Sequence, residues 1–368
     1  MKKETLAIHG GNFITDSLKP VIQPITLSTT FTHQDDSMLY GRLNNPNRLS
    51  LEKVLASFEQ GADAAAFASG NAAGNAVFQA LPQGAHMIAP DDMYHGLKDL
   101  ITSAFSDKIE VDFVDLRKVE NFENAIKQNT RLLWIETPSN PLLHISDIRT
   151  LSDGAHKNGI QVVCDSTFAT PIFQQPLLLG ADIVMHSNTK YIGGHSDVIG
   201  GILVTKEHTE IWGKIKNIQK LAGAVPSPFD TYLLTRSIKT LPYRMKAHAE
   251  NAGALSIYLE SHPGIDKVYY PGLTSHEGHQ TAASQMSGFG GMLSFLLKGT
   301  ARDADRFIEN LSYFSNATSL GGIESLIERR AKIQGPGTTI APNLIRVSVG
   351  LENIDDLIED LETGFASL

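Results

Sequence analysis

Between residues 61 and 206 short apolar runs alternate with stretches of helical periodicity, and this alternation restricts the possible folds more than any other feature of the chain. The runs fall at 85–89, 110–114, 131–135, 161–165, 182–186 and 200–205. They are nearly continuous in hydrophobic residues, as in Leu132-Leu133-Trp134-Ile135, instead of alternating with polar ones. Strands covered on both faces read this way. Helical patterns at 72–81, 96–104, 119–128 and 147–158 lie between them. Strand and helix in turn imply an α/β fold with a mainly parallel sheet and right-handed crossovers.

The texture changes near Ser237. An amphipathic helix is expected over 243–259, ended by His262-Pro263-Gly264. Strands at 267–270, 292–297 and 344–349 and helices at 277–285, 301–311 and 354–365 follow, a sparser α+β pattern. The first forty residues contain Pro20, Pro24 and many hydroxyl residues without periodicity. They read as an extended arm, more easily stabilised on a partner subunit than in solvent. The expected division is an arm over 1–45, a larger domain over 46–235 and a smaller one over 236–368.

Composition removes several function classes. With 31 Lys and Arg against 40 Asp and Glu, the net charge is −9, which argues against a nucleic-acid or anionic-membrane binder. One cysteine, Cys164, excludes an internal disulfide and any multi-cysteine metal site. No apolar run approaches the roughly 20 residues of a membrane span, and no apolar stretch follows Lys2-Lys3 as in a secretion signal. A cytoplasmic enzyme is expected.

The richest chemistry lies in Ser187-Asn188-Thr189-Lys190, at the C-terminal end of an expected strand, where parallel sheets place ligands. An isolated lysine there would be a solvated loop residue. Flanking hydroxyls able to donate to phosphate, beside an amine able to meet an aldehyde, suit pyridoxal phosphate (PLP) instead. Asp165 ends the strand 161–165; such residues usually cap turns, but PLP needs a carboxylate against its pyridine nitrogen. Gly70-Asn71 opens the first helix of the sheet, where free N–H groups can meet an anion, a weak signal taken alone. Tyr94, just past the strand 85–89, is a core or rim aromatic, or a ring stacked on the cofactor.

Together with Glu136-Thr137-Pro138-Ser139-Asn140-Pro141, Gly193-Gly194-His195-Ser196-Asp197, Ser319-Leu320-Gly321-Gly322 and Leu344-Ile345-Arg346-Val347-Ser348, these motifs resemble the Cys/Met-metabolism PLP-dependent enzymes of transsulfuration over nearly the whole chain. The resemblance implies an aspartate-aminotransferase-like fold (PLP fold type I) with a seven-stranded-type sheet, and a smaller C-terminal α+β domain. It implies that Lys190 carries the cofactor, Asp165 meets the pyridine nitrogen, Tyr94 stacks on the ring and Asn140 approaches the phenolic oxygen. Gly70, Asn71, Ser187 and Thr189 would hold the phosphate, with Tyr40 and Arg42 reaching it from a neighbouring subunit. Arg346 would grip the substrate carboxylate, with Ser319, Asn140 and Glu324 in the same pocket. A homodimeric catalytic unit, doubled to a tetramer, is implied as well.

The expected activity is a carbon–sulfur lyase cleaving cystathionine or a related sulfur amino acid by β- or γ-elimination. The alternatives are cystathionine γ-synthase chemistry and a non-catalytic PLP-binding regulator. Departures from the family pattern bear on substrate choice: Asn71, His95, Leu97, Ser166 and residues 332–337. His186 and His195 are read as structural, and His276 and His279 as surface or capping residues without a third metal ligand.

Overall fold

The computed structural model describes residues 1–11, 20–33, 38–335 and 338–368. Among them, seven strands form the larger sheet: β1 (Asp63–Phe67), β2 (Ala85–Pro90), β3 (Ile109–Val114), β4 (Thr130–Glu136), β5 (Gln161–Asp165), β6 (Ile183–Ser187) and β7 (Gly201–Thr205). Their order is β1-β7-β6-β5-β4-β2-β3. All neighbours are parallel except β7, which runs antiparallel to both β1 and β6.

The unbroken hydrophobicity of the strands has the expected cause. In β4, Leu132 and Trp134 enter the core on one face of the sheet, while Leu133 and Ile135 enter the core on the other. Trp134 packs against Phe78 of the helix Gly70–Ala80, with ring centroids 5.5 Å apart. Leu133 and Ile135 share their core with Ile148 and Leu151 of the helix Ile148–Lys157. Removing a ring such as that of Trp134 from a site this closed costs about 3–5 kcal/mol.

Five strands form the second sheet: β8 (Ile265–Tyr269), β9 (Met292–Leu297), β10 (Ser315–Asn316), β11 (Leu326–Arg329) and β12 (Leu344–Ser348), in the order β10-β11-β12-β9-β8. In its central pair, Glu328 of β11 stands opposite Arg346 of β12. The helix Leu241–Ser261 joins the two sheets. Its Arg244 donates to Tyr191 O at 2.7 Å, next to Lys190, and its His248 Nδ1 meets Val349 O at 2.7 Å, just past β12. The loop bearing Lys190 and the strand bearing Arg346 are therefore registered by one helix. Gly194 (φ +68°) is required at this junction, because a Cβ there would lie 2.1 Å from Arg244 Nη1.

Several elements differ from the sequence reading. β1 reads Asp-Ala-Ala-Ala-Phe, a weak strand former, and is held extended by its ladder to β7. The amino-terminal segment is not extended throughout. Lys3–His9 is helical, with Ala7 buried and Lys3 Nζ donating to Pro171 O and Ile172 O at 2.7 Å. The helices Pro46–Glu59, Glu210–Ala222 and Pro228–Ile238 add to the cover of the large sheet, and the expected helix over 119–128 stops at Ala125. Residues 12–19, 34–37, 336 and 337, which fall in the expected arm and in the 332–337 departure, lie outside the described residues.

Candidate active site

The C-terminal ends of β4, β5 and β6 open into a cavity of about 550 Å³. Gly70, Asn71, Tyr94, Asn140, Asp165, Ser187, Thr189, Lys190, Ser319 and Arg346, ten of the residues singled out in the sequence, all line it.

Lys190 follows β6 by a turn, its N–H bonded to Ser187 O at 3.2 Å. Its Nζ donates to Ser319 Oγ at 2.8 Å. Burial, with the Arg346 cation close by, pulls the amine down from the ordinary lysine value to about 8. Ser319 sits at φ +93°, a conformation an L-residue adopts at a cost. Its carbonyl accepts from Arg346 Nη2 at 2.8 Å, so one serine meets both cations.

Arg346 lies at the centre of β12, with Nη1 donating to Asn140 Oδ1 at 3.0 Å and Nη2 lying 2.6 Å from Glu328 Oε1. Burial lowers its guanidinium to about 10. Glu328 Oε1 also accepts from Arg330 Nη1 at 2.9 Å. Glu328 and Arg330 were not singled out in the sequence. A period-two reading of 326–329 as a strand paired with β12 would have set Glu328 opposite Arg346, but four residues give too weak a signal.

Asp165, at the end of β5, is 7% exposed. Thr167 donates to its Oδ1 from the backbone at 3.0 Å and from the hydroxyl at 2.6 Å. Oδ2 accepts no bond among the described residues. Burial pushes the Asp165 carboxyl up, and burial together with Asp165 pushes the neighbouring Glu136 well above the usual carboxylate range. Glu136 Oε2 accepts from Tyr94 N at 2.8 Å. Burial also raises the Tyr94 phenol, which stays protonated.

Also lining the cavity are Gly70 and Asn71, which open the helix Gly70–Ala80, where first-turn amides have no intrahelical acceptor; Ser69 caps it by accepting from Ala72 N. A Cβ on Gly70 would sit 3.1 Å from both Cβ and Oγ of Ser187, so glycine permits this close approach. Thr189 Oγ1 is exchanged with Gly200, accepting its N–H at 3.1 Å and donating to its O at 3.2 Å.

Tyr40, Arg42, Glu324 and the histidines 186, 195 and 276 of the sequence reading do not line the cavity. Arg42 donates to Lys220 O, beneath the exposed ring of Tyr40. Glu324 Oε2 accepts from Ser196 Oγ at 3.4 Å. His186 Nε2 is paired in the core with Glu59 Oε1 at 2.6 Å, and His195 Nδ1 meets Gly193 O at 2.9 Å. His276 is buried and not a surface group, because its ring closes on Leu143 O at 2.9 Å. Among the described residues no group of three metal-ligating side chains occurs. No helix there is long and apolar enough to cross a membrane.

A near-neutral amine, a buried carboxylate with a spare oxygen and an anion cradle on one sheet edge define a PLP-dependent enzyme acting on amino acids. The chain belongs to the Cys/Met metabolism PLP-dependent enzyme family, whose model matches residues 4–366. It is 43% identical to a cystathionine γ-lyase of Dictyostelium discoideum, across 97% of this chain and 96% of that protein. It is also 43% identical to a cystathionine β-lyase of Lactococcus lactis, across 98% and 97% of the two chains. A crystal structure of cystathionine γ-synthase from Xanthomonas oryzae pv. oryzae superposes with a TM-score of 0.96 at 37% identity, covering 100% of this chain and 98% of that one. The cofactor is PLP, and the fold and transsulfuration chemistry expected from the sequence hold. The lining fits that group: buried Asp165 would meet a protonated ring nitrogen through Oδ2, and Gly70, where a Cβ would crowd Ser187, would let the backbone approach a phosphate.

Proposed function

We propose that the protein is a carbon–sulfur lyase that cleaves cystathionine or a close relative. The observation that carries this reading is the placement of Lys190: its amine is held at Ser319 beside Arg346, and its proton affinity is lowered to about 8. Bound in the cavity, PLP supplies an electron sink for charge developing next to the substrate amino group. Lys190 would hold the cofactor and then, once released, move the proton from the substrate α-carbon. Arg346 would fix the α-carboxylate with a planar pair of donors, assisted by Asn140. Asp165 would keep the ring nitrogen protonated. Tyr94, a phenol at neutral pH, would stack on the ring and donate a proton to the departing sulfur.

The same reading divides the chain into an arm over 1–45, a cofactor domain over 46–235 and a smaller domain over 236–368. It makes the catalytic unit a dimer, doubled to a tetramer, with Tyr40 and Arg42 serving the phosphate of the neighbouring subunit. Single, buried Cys164 suits a reducing, cytoplasmic setting.

A second reading, γ-replacement with cysteine on an activated homoserine, is supported by the likeness to the Xanthomonas γ-synthase and uses the same residues. Incubation with cystathionine decides between them. Pyruvate indicates β-elimination, 2-oxobutyrate indicates γ-elimination, and the absence of both from an active, PLP-loaded enzyme removes the lyase reading. Borohydride reduction and peptide mapping should place the pyridoxyl group on Lys190, and a label on another lysine would overturn that assignment.

A further inference from the structure

Asp92, Ser139 and His144 form a cluster that does not line the cavity, and none of the steps above uses it. Asp92 Oδ2 takes two donors, the Ser139 hydroxyl and His144 Nδ1 at 2.9 Å. Ser139 Oγ in turn accepts from His144 N at 3.1 Å. Ser139 is 1% exposed and the Asp92 side chain 17%, so water competes weakly for these bonds.

The cluster joins two segments that carry cavity residues. Asp92 lies two residues before Tyr94, in the turn between β2 and the helix His95–Ala104. That helix has no side-chain cap at Tyr94, so its start depends on other contacts. Ser139 precedes Asn140, whose Oδ1 accepts from Arg346 Nη1, and Ser294 Oγ donates to Pro141 O at 2.7 Å. Ser294 stands opposite Arg346 in the β9–β12 ladder, so the segment 139–141 is held on the second sheet beside Arg346. The turn 91–94 is tied to the stretch 136–144 by Glu136 on the Tyr94 amide and by Asp92 on Ser139. The first tie fixes one peptide, and the second fixes the turn leading into it.

We infer that Asp92 is a positioning residue that anchors the Tyr94 turn, through Ser139, to the segment beside Arg346. The substrate α-carboxylate and the departing sulfur belong to one molecule, so the spacing of Arg346 and Tyr94 must match it closely. The inference rests on the proposed role of Tyr94 as the acid for that sulfur. In that step the C–S bond breaks, sulfur leaves with the electron pair and takes the phenol proton. The phenolate then regains a proton from solvent.

The first test uses a leaving group that needs no proton. Loaded wild-type enzyme and Asp92→Ala are compared on cystathionine and on β-chloro-L-alanine, from which chloride departs with its electron pair alone. On cystathionine kcat should fall about tenfold or more with KM little changed, while turnover of β-chloroalanine is kept. Ser139→Ala should give the same pattern, and the double variant should be no slower than the slower single one. Equal loss on both substrates, no loss on either, or additive losses in the double variant would overturn the inference.

The second test is amide hydrogen exchange over residues 91–98 of the loaded enzyme. Exchange there should quicken in Ser139→Ala as it does in Asp92→Ala, although the two residues are 47 apart in sequence. Unchanged exchange in Ser139→Ala would refute the anchor. This arm reads the tie even where cystathionine yields no keto acid, an outcome that counts against the lyase reading alone.

Discussion

Lys190 Nζ and Ser319 Oγ, 129 residues apart in sequence, stand 2.8 Å from each other across the gap between the two sheets. The contact joins the turn after β6 to the segment before β11, and Arg346 closes it from the second side through the Ser319 carbonyl. The amine is therefore held by a residue that also holds the Arg346 guanidinium.

Ser319 can be separated into backbone and hydroxyl. Ser319→Ala keeps a side chain at φ +93° and removes the partner of Lys190. Ser319→Gly removes the partner and relieves the backbone. Both should lower kcat, while the glycine variant should be more stable than the alanine variant by about 1 kcal/mol. Thermal unfolding of the two loaded variants checks this, and an alanine variant at least as stable as the glycine one would contradict it.

The pH dependence follows from the lowered Lys190 amine. Its neutral form predominates above about 8, so the rate of PLP uptake by apoenzyme should rise with pH and level off just above that value. An ordinary lysine would keep climbing toward its reference pKa, roughly 10.4. Arg346→Gln removes a neighbouring cation that disfavours the protonated amine, and the midpoint should then move upward. A midpoint that stays in place would show that burial acts alone.

Arg346→Ala should leave the cofactor spectrum nearly intact and weaken substrate use by about 2–5 kcal/mol, or ~30-fold or more. The loss should appear with every amino-acid substrate, because the α-carboxylate is common to all. Steady-state kinetics beside a cofactor titration would show it. Unchanged kinetics would remove Arg346 from substrate binding.

Arg42 lies apart from the cavity of its own chain, its guanidinium on Lys220 O. If it serves a neighbouring phosphate, Arg42→Ala should release PLP more readily. Mixing inactive Arg42→Ala and Lys190→Ala chains under subunit exchange should restore activity, since one site of each hybrid has both residues. Hybrids that form and stay inactive would rule out the shared site.

Much of this was legible in the residues. Lys190 stands out because hydroxyls flank it at the end of an apolar run, and Asp165 because it ends another; both depend on local pattern alone. β1 did not stand out, since its alanines are indifferent to strand or helix until β7 pairs with them. Glu328 and Arg330 were missed for a related reason. Their importance arises from a cross-strand pairing with β12, and a four-residue strand carries too little periodicity to announce it. The helix Lys3–His9 was hidden because it is stabilised by docking, through Lys3 on the carbonyls of Pro171 and Ile172, more than by its own sequence.

Cys164 is fully buried on β5, one residue before Asp165. Cystathionine chemistry has a free thiol on one side of its equation, whichever direction it runs. Burial pushes the Cys164 thiol well up, so it is neither ionised nor within reach of solvent. An enzyme that must live among reactive sulfur compounds thus offers them no sulfur of its own to couple with, and accumulating product cannot cap it through a mixed disulfide.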